Sequence, residues 1–134
     1  MAVTKVAGRQ WPLVAYFAFD YTTFNGTATT PGDAFIDVPA GAIVTGGALV
    51  VTTAFDTGTT DVIDFGDSGD DDRYTASAVS LKTAARTALT LTGYKYTAPT
   101  SITALRAAVG TAATAGAGYV EVQYIIADRA TEAS

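Results

Sequence analysis

The chain has no histidine and no cysteine among its 134 residues, and these two absences exclude whole classes of chemistry. A serine nucleophile of the usual kind needs an imidazole to take its proton. The "GDSG" at 66–69, which surrounds the nucleophile in trypsin-like proteases, is therefore an accidental match here. The same inventory removes Cys–His nucleophiles, the usual zinc sites, haem and iron–sulfur ligation. With no cysteine there is no disulfide framework and no indication of redox compartment. Neither a G-x-x-x-x-G-K-[ST] phosphate loop nor a G-x-G-x-x-G after a strand occurs. Carboxylates, lysine and tyrosine alone would have to carry catalysis, and no set of nucleophile, base and orienter can be assembled from them. A glycosidase built on a carboxylate pair would have a single Trp for sugar stacking. The expectation is a protein that is not an enzyme, with no catalytic residue, no cofactor, no metal ligand and no small-molecule substrate.

Charge is scarce too. Charged residues make up 16 % of the chain, the net charge is −5 and the isoelectric point is near 4.3. Nucleic-acid binding draws on clustered Lys and Arg, so that partner is not expected. No apolar run approaches the roughly 20 residues of a membrane span. The N-terminal "MAVTKVAGRQWPLVAYFAF" has two cations followed by an apolar run, but Asp20 interrupts it. A long aliphatic stretch with a small-residue cleavage site is missing, so it reads as unprocessed and made in the cytosol.

What remains is 49 % hydrophobic, rich in Ala, Thr and Gly and poor in Glu and Lys. Such a chain can build a core, and Thr, Val, Ile and aromatics suit strands better than surface helices. "LVAYFAFDY" (13–21) alternates Leu13, Ala15, Phe17, Phe19 and Tyr21 against Val14, Tyr16, Ala18 and Asp20. It is apolar on most of both faces, as a central or interface strand would be. "AFIDV" (34–38) and "DVIDF" (61–65) read as short strands. "AIVTGGALVVTTAF" (42–55) reads as a long one, with Gly46-Gly47 marking a bulge or bend. "YTASAVSL" (74–81) and "ALTLTGYKY" (88–96) read as strands around a "KTAART" connection. "SITALRAAV" (101–109) and "AGYVEVQYIIAD" (117–128) suggest a final hairpin, preferred to an Ala-rich helix over 104–117 because Gly and Thr crowd that stretch. Seven to nine short strands separated by turns predict an all-β, antiparallel, jelly-roll-like sandwich. One such domain spans 13–130, preceded by an extended arm over 1–12 and followed by a tail over 131–134.

The one concentrated charge is acidic. Residues 56–72 hold seven of the thirteen acids and no cation, and "FGDSGDDDRY" (65–74) packs four Asp into six positions. A calcium loop of the helix–loop–helix kind fails whether counted from Asp61 or from Asp67, because ligand positions fall on Ile63 and Phe65 or on Gly69. A looser cation site from Asp67, Asp70 and Asp72 is the sharper alternative. The preferred reading is a solvated hairpin loop, with Asp67 and Ser68 bonding local backbone and Arg73 offsetting the charge.

The elements Pro39, Gly41, Ala42, Val44 and Gly46, then Gly66, Asp67, Ser68, Asp72, Arg73 and Tyr74, then Tyr124 and Arg129, form a recurring order of turns and strands. In that order the chain resembles a group of small tailed-bacteriophage virion proteins, over roughly residues 34–130. The resemblance implies a structural role, with capsid decoration or cement as the leading one. The implied partner is the major capsid protein, the implied assembly a homotrimer and the implied location the capsid surface. A tail, baseplate or head-fibre protein, or a calcium- or sugar-binding β module, stays open beside it. For contacts with partners the candidates are Val3, Lys5, Arg9 and Trp11 of the arm and Tyr16, Phe17, Phe19 and Tyr21 of the first strand. Aromatics and a basic arm suit an interface with an acidic surface, although each of these four first-strand aromatics, taken singly, fits a sandwich core better.

Overall fold

A computed structural model describes residues 11–127 and 129. It holds eight strands: β1 (Leu13–Asp20), β2 (Asp33–Val38), β3 (Ala42–Thr53), β4 (Thr60–Gly66), β5 (Val79–Ser80), β6 (Arg86–Ala88), β7 (Thr100–Val109) and β8 (Ala117–Ile126). Two four-stranded sheets form, in the orders β1-β8-β3-β6 and β2-β7-β4-β5, with every pairing antiparallel. The pairs β1–β8, β2–β7, β3–β6 and β4–β5 are nested, as in one long hairpin rolled up into two layers. This is the jelly-roll-like sandwich that the pattern of strands and turns predicts.

The core lies between the layers, and strand alternation fills it. Leu13, Ala15, Phe17 and Phe19 of β1 are the less exposed set, against Val14, Tyr16, Ala18 and Asp20. In β8, Val120 and Val122 are buried while Gln123 is exposed. β3 changes parity along its length: Ala42 and Val44 point inward before the glycine pair, Leu49 and Val51 after it. A register shift between Val44 and Gly46 inserts the odd residue that makes this switch. Gly47 has φ +137, which suits glycine alone at that bend. All six phenylalanines join one network, with ring centroids 5.3–6.2 Å apart from Phe17 through Phe24, Phe35 and Phe19 to Phe55 and Phe65. Such pairs add about 0.5–1.5 kcal/mol each beyond burial.

Three expectations need correction. β7 and β8 do not form a hairpin, because they lie in opposite sheets. Residues 110–116 instead cross from one layer to the other. Seven residues reach at most about 25 Å, ample for layers about 10 Å apart. At the crossing, Gly116 has φ +146, and a Cβ there would lie 2.5 Å from the Phe55 ring. Second, of the strand expected at 74–81 only Val79–Ser80 forms, and in place of the one expected at 88–96 there are a short strand, Arg86–Ala88, that begins in the expected connection and an isolated bridge from Lys95 to Ile43. The rest of their backbone makes scattered single bonds, Thr90 N–H to Tyr74 O within the segment and Tyr96 N–H to Ala42 O at the start of β3, rather than ladders. Third, β1 is an edge strand rather than a central one.

Candidate functional site

The acidic segment follows β4 directly and divides into a buried and an exposed part. Asp67 is 4 % exposed. Its Oδ1 accepts the N–H groups of Gly69 (2.9 Å) and Asp70 (3.0 Å), a tight turn closed by the side chain. Arg73 grips both oxygens, Nε to Oδ2 at 2.5 Å and the second guanidinium nitrogen to Oδ1 at 3.2 Å. The Tyr96 hydroxyl donates to Oδ2 at 2.8 Å and lies 2.6 Å from the Tyr74 hydroxyl. The guanidinium also stacks on the Tyr94 ring, 3.6 Å from its centroid. Burial pushes the Asp67 carboxyl up, but the Arg73 and Tyr96 hydrogen bonds and the Gly69 N–H outweigh it and hold it below its ordinary value. Burial likewise raises both Tyr74 and Tyr96, so their hydroxyls stay protonated donors.

The loop is therefore not wholly solvated, as expected, but anchored at Asp67. The reason is Tyr96, which is 29 positions away and reaches the carboxylate only in the folded chain. The looser cation set changes too, because Asp67 is committed to Arg73 and Tyr96. The carboxylates that do gather, within 4.8 Å of one another, are Asp70, Asp71 and Asp72. Asp72 is pushed up by its hydrogen bond with Asp70 and by the charges of Asp70, Asp71 and Asp64. Beside them an open cleft of about 570 Å³ is lined by Thr30, Pro31 and residues 67–71.

A second acid–arginine pair was not foreseen. Asp61 points inward from the start of β4 and Arg106 inward from β7, and both are buried. Arg106 donates to both Asp61 oxygens, at 2.8 and 2.5 Å, and its remaining terminal nitrogen donates to the carbonyls of Tyr21 (2.9 Å) and Phe24 (3.1 Å). The Thr57 hydroxyl completes Asp61 at 2.5 Å, and Lys82 Nζ donates to the Thr57 carbonyl. The register that sets Ile63 opposite Arg106 brings the pair together across 45 residues. Alternation from Ile63 and Phe65 already places Asp61 on the buried face, which is the signal that sequence reading passed over.

Of the proposed partner contacts, Val3, Lys5 and Arg9 lie outside the described residues. Trp11 is 85 % exposed and Tyr16 65 %, with Val14 beside it at 59 %. Tyr21 is on the surface at the end of β1. Phe17 and Phe19 face the core, so the surface of this region consists of Trp11, Val14, Tyr16 and Tyr21. The Tyr16 ring leans on Tyr119 of β8, with centroids 5.2 Å apart.

Fold and surface together define a small two-layer β protein with arginine-anchored ends and one aromatic edge. The fold has counterparts in two solved phage particles. The chain is similar to a chain of the cyanophage Pam1 capsid asymmetric unit, with 24 % identity over 92 % of both chains and a TM-score of 0.63. It is also similar to a chain of the acidic stable capsid of Helicobacter pylori bacteriophage KHP30, with 14 % identity, 86 % and 87 % coverage and a TM-score of 0.57. These likenesses show a shared fold over nearly the whole length. No protein-family profile and no curated protein matches the chain.

Proposed function

We propose that this chain is a non-enzymatic structural protein of a bacteriophage virion. Its role in this reading is capsid decoration: it binds the major capsid protein and stabilises the shell from the outer surface, after synthesis in the host cytoplasm. The observation that carries the reading is the match, along about nine-tenths of its length, to chains found in two phage capsids. The cross-braced core supports it, since a shell fitting needs a rigid and protease-resistant body. So does the exposed run of Trp11, Val14 and Tyr16, because large apolar residues left in water mark contact surfaces. The copies assemble as a trimer, and the basic arm, with Val3, Lys5, Arg9 and Trp11, clamps the shell. An acid-rich body keeps decorated particles dispersed.

The test is to add the purified chain to undecorated phage shells and sediment them, with and without residues 1–12, while light scattering reports the mass of each form. Saturable binding that is lost on deleting the arm, with a mass that is a whole multiple of the trimer and is unchanged by the deletion, is the expected result. A chain that ignores shells of every kind would overturn the reading.

A further inference from the structure

Each sheet has two outer strands, and three of the four are protected against pairing with another chain. β5 has two residues and β6 three, too short to template a partner. β2 carries a register irregularity between Ala34 and Ile36 and acids at Asp33 and Asp37. Short length, bulges and charge are the usual devices that keep sheet edges apart. β1 has none of them. It runs eight residues in unbroken register with β8, and no charge appears before Asp20. Among the described residues no strand pairs with its other side. Among the described residues, four of the seven large hydrophobics left exposed, Trp11, Val14, Tyr16 and Tyr21, lie on this strand and its flanks.

We infer that the free edge of β1 is a self-association site, where β1 of a second copy pairs antiparallel about a two-fold axis through Tyr16. The inference is independent of the virion reading. Two features of the strand select this occupant. The first is charge. The chain carries a net −5, so copies repel over most of their surface, yet 11–19 is neutral and the acid-rich 67–72 segment follows β4 in the other sheet. Two copies approach there at least electrostatic cost. In this register Asp20 falls opposite Pro12 of the other copy, not opposite another acid.

The second is face matching. Directly opposed residues in an antiparallel pair share a face of the sheet. With Tyr16 on the axis, Val14 meets Ala18 on the outer face, while Leu13 meets Phe19 and Ala15 meets Phe17 on the inner one. One step further out, Trp11 meets Tyr21. Every exposed apolar residue of the region then gains an apolar partner, and the two four-stranded sheets join into one of eight. Moving the axis by half a residue would oppose inner to outer faces throughout.

The absence of cysteine makes the register directly testable, since a single introduced thiol is unique in the chain. Tyr16→Cys places the two thiols on the axis, where opposed Cβ atoms are about 5 Å apart and near disulfide range. Val14→Cys places them four residues out of step, about 13 Å apart along the strand. Under mild oxidation Tyr16→Cys should cross-link with itself. Val14→Cys should do so only when mixed with Ala18→Cys. Light scattering gives the second readout: the wild-type chain should have twice the mass of a Val14→Lys/Tyr16→Lys variant, whether the halved unit is a monomer or a trimer. Equal masses, or equal cross-linking at 14, 16 and 18, would overturn the inference and give the edge to another occupant. A trimer that does not double would refute the two-fold alone, and a doubling without a trimer would refute only the trimer.

Discussion

The two ends of β4 hold the same chemical pair in different ways. At its start Asp61 meets Arg106 from 45 residues away, fully buried between the layers. Just past its end Asp67 meets Arg73 from six residues away, inside one loop. The first pair fastens β4 to β7, to the turn after β1 through the Tyr21 and Phe24 carbonyls, and to Thr57 after β3. The second shapes a local turn and then reaches outward through Tyr96. One is a cross-brace of the fold and the other an organiser of its surface, so they should fail differently.

The largest effect is expected from Arg106→Met. It strands a buried carboxylate and two carbonyls, and losing one partner of a buried pair costs about 3–5 kcal/mol. Urea unfolding should show that loss. Adding Asp61→Leu should restore most of it but not all, because the Tyr21 and Phe24 carbonyls still lack their donor. A single variant as stable as the wild type would show that the pair does not brace the sheets.

Arg73→Met should cost less, about 1–3 kcal/mol, since Asp67 keeps the Tyr96 hydroxyl and two backbone N–H groups. The same measurement checks the ranking, which is reversed if the local pair matters more. Acid should act next through Asp67. Its folded carboxyl lies below the ordinary value, so its contribution is present above the unfolded pKa, about 3.9. That contribution fades as pH falls through the folded value. Melting temperatures recorded downward from pH 6 should fall more steeply for the wild type than for Asp67→Asn. The smallest effect belongs to Asp72, whose pKa moves the other way. A raised folded value means stability held at low pH and lost as pH rises through it. Asp72→Asn should therefore raise the melting temperature slightly at pH 7 and leave it unchanged at pH 3.

The same contrast explains what could be read from the residues alone. Local regularities were legible: the alternation of Leu13–Asp20 and Ala117–Ile126, the bulge at Gly46-Gly47, and the side-chain-closed turn at Asp67. Features fixed by register between distant strands were not. Nothing near Arg106 announces Asp61, and nothing near Asp67 announces Tyr96. The connection from Val109 to Ala117 fits a hairpin or a crossing equally well by length, and only the position of β8 between β1 and β3 decides it. At 74–96 the Thr, Val and Tyr content suggests two strands, yet that backbone meets β4 and β3 through scattered single bonds, such as Leu81 N–H to Asp61 O and Leu89 N–H to Gly47 O, rather than through long ladders.

The proposed virion role is most directly tested by quantitative mass spectrometry on separated heads and tails of phage particles released from cells that express this chain. Decoration predicts that the chain fractionates with heads, at a fixed ratio to the major capsid protein. Its recovery with tails, or its absence from particles, would contradict the account.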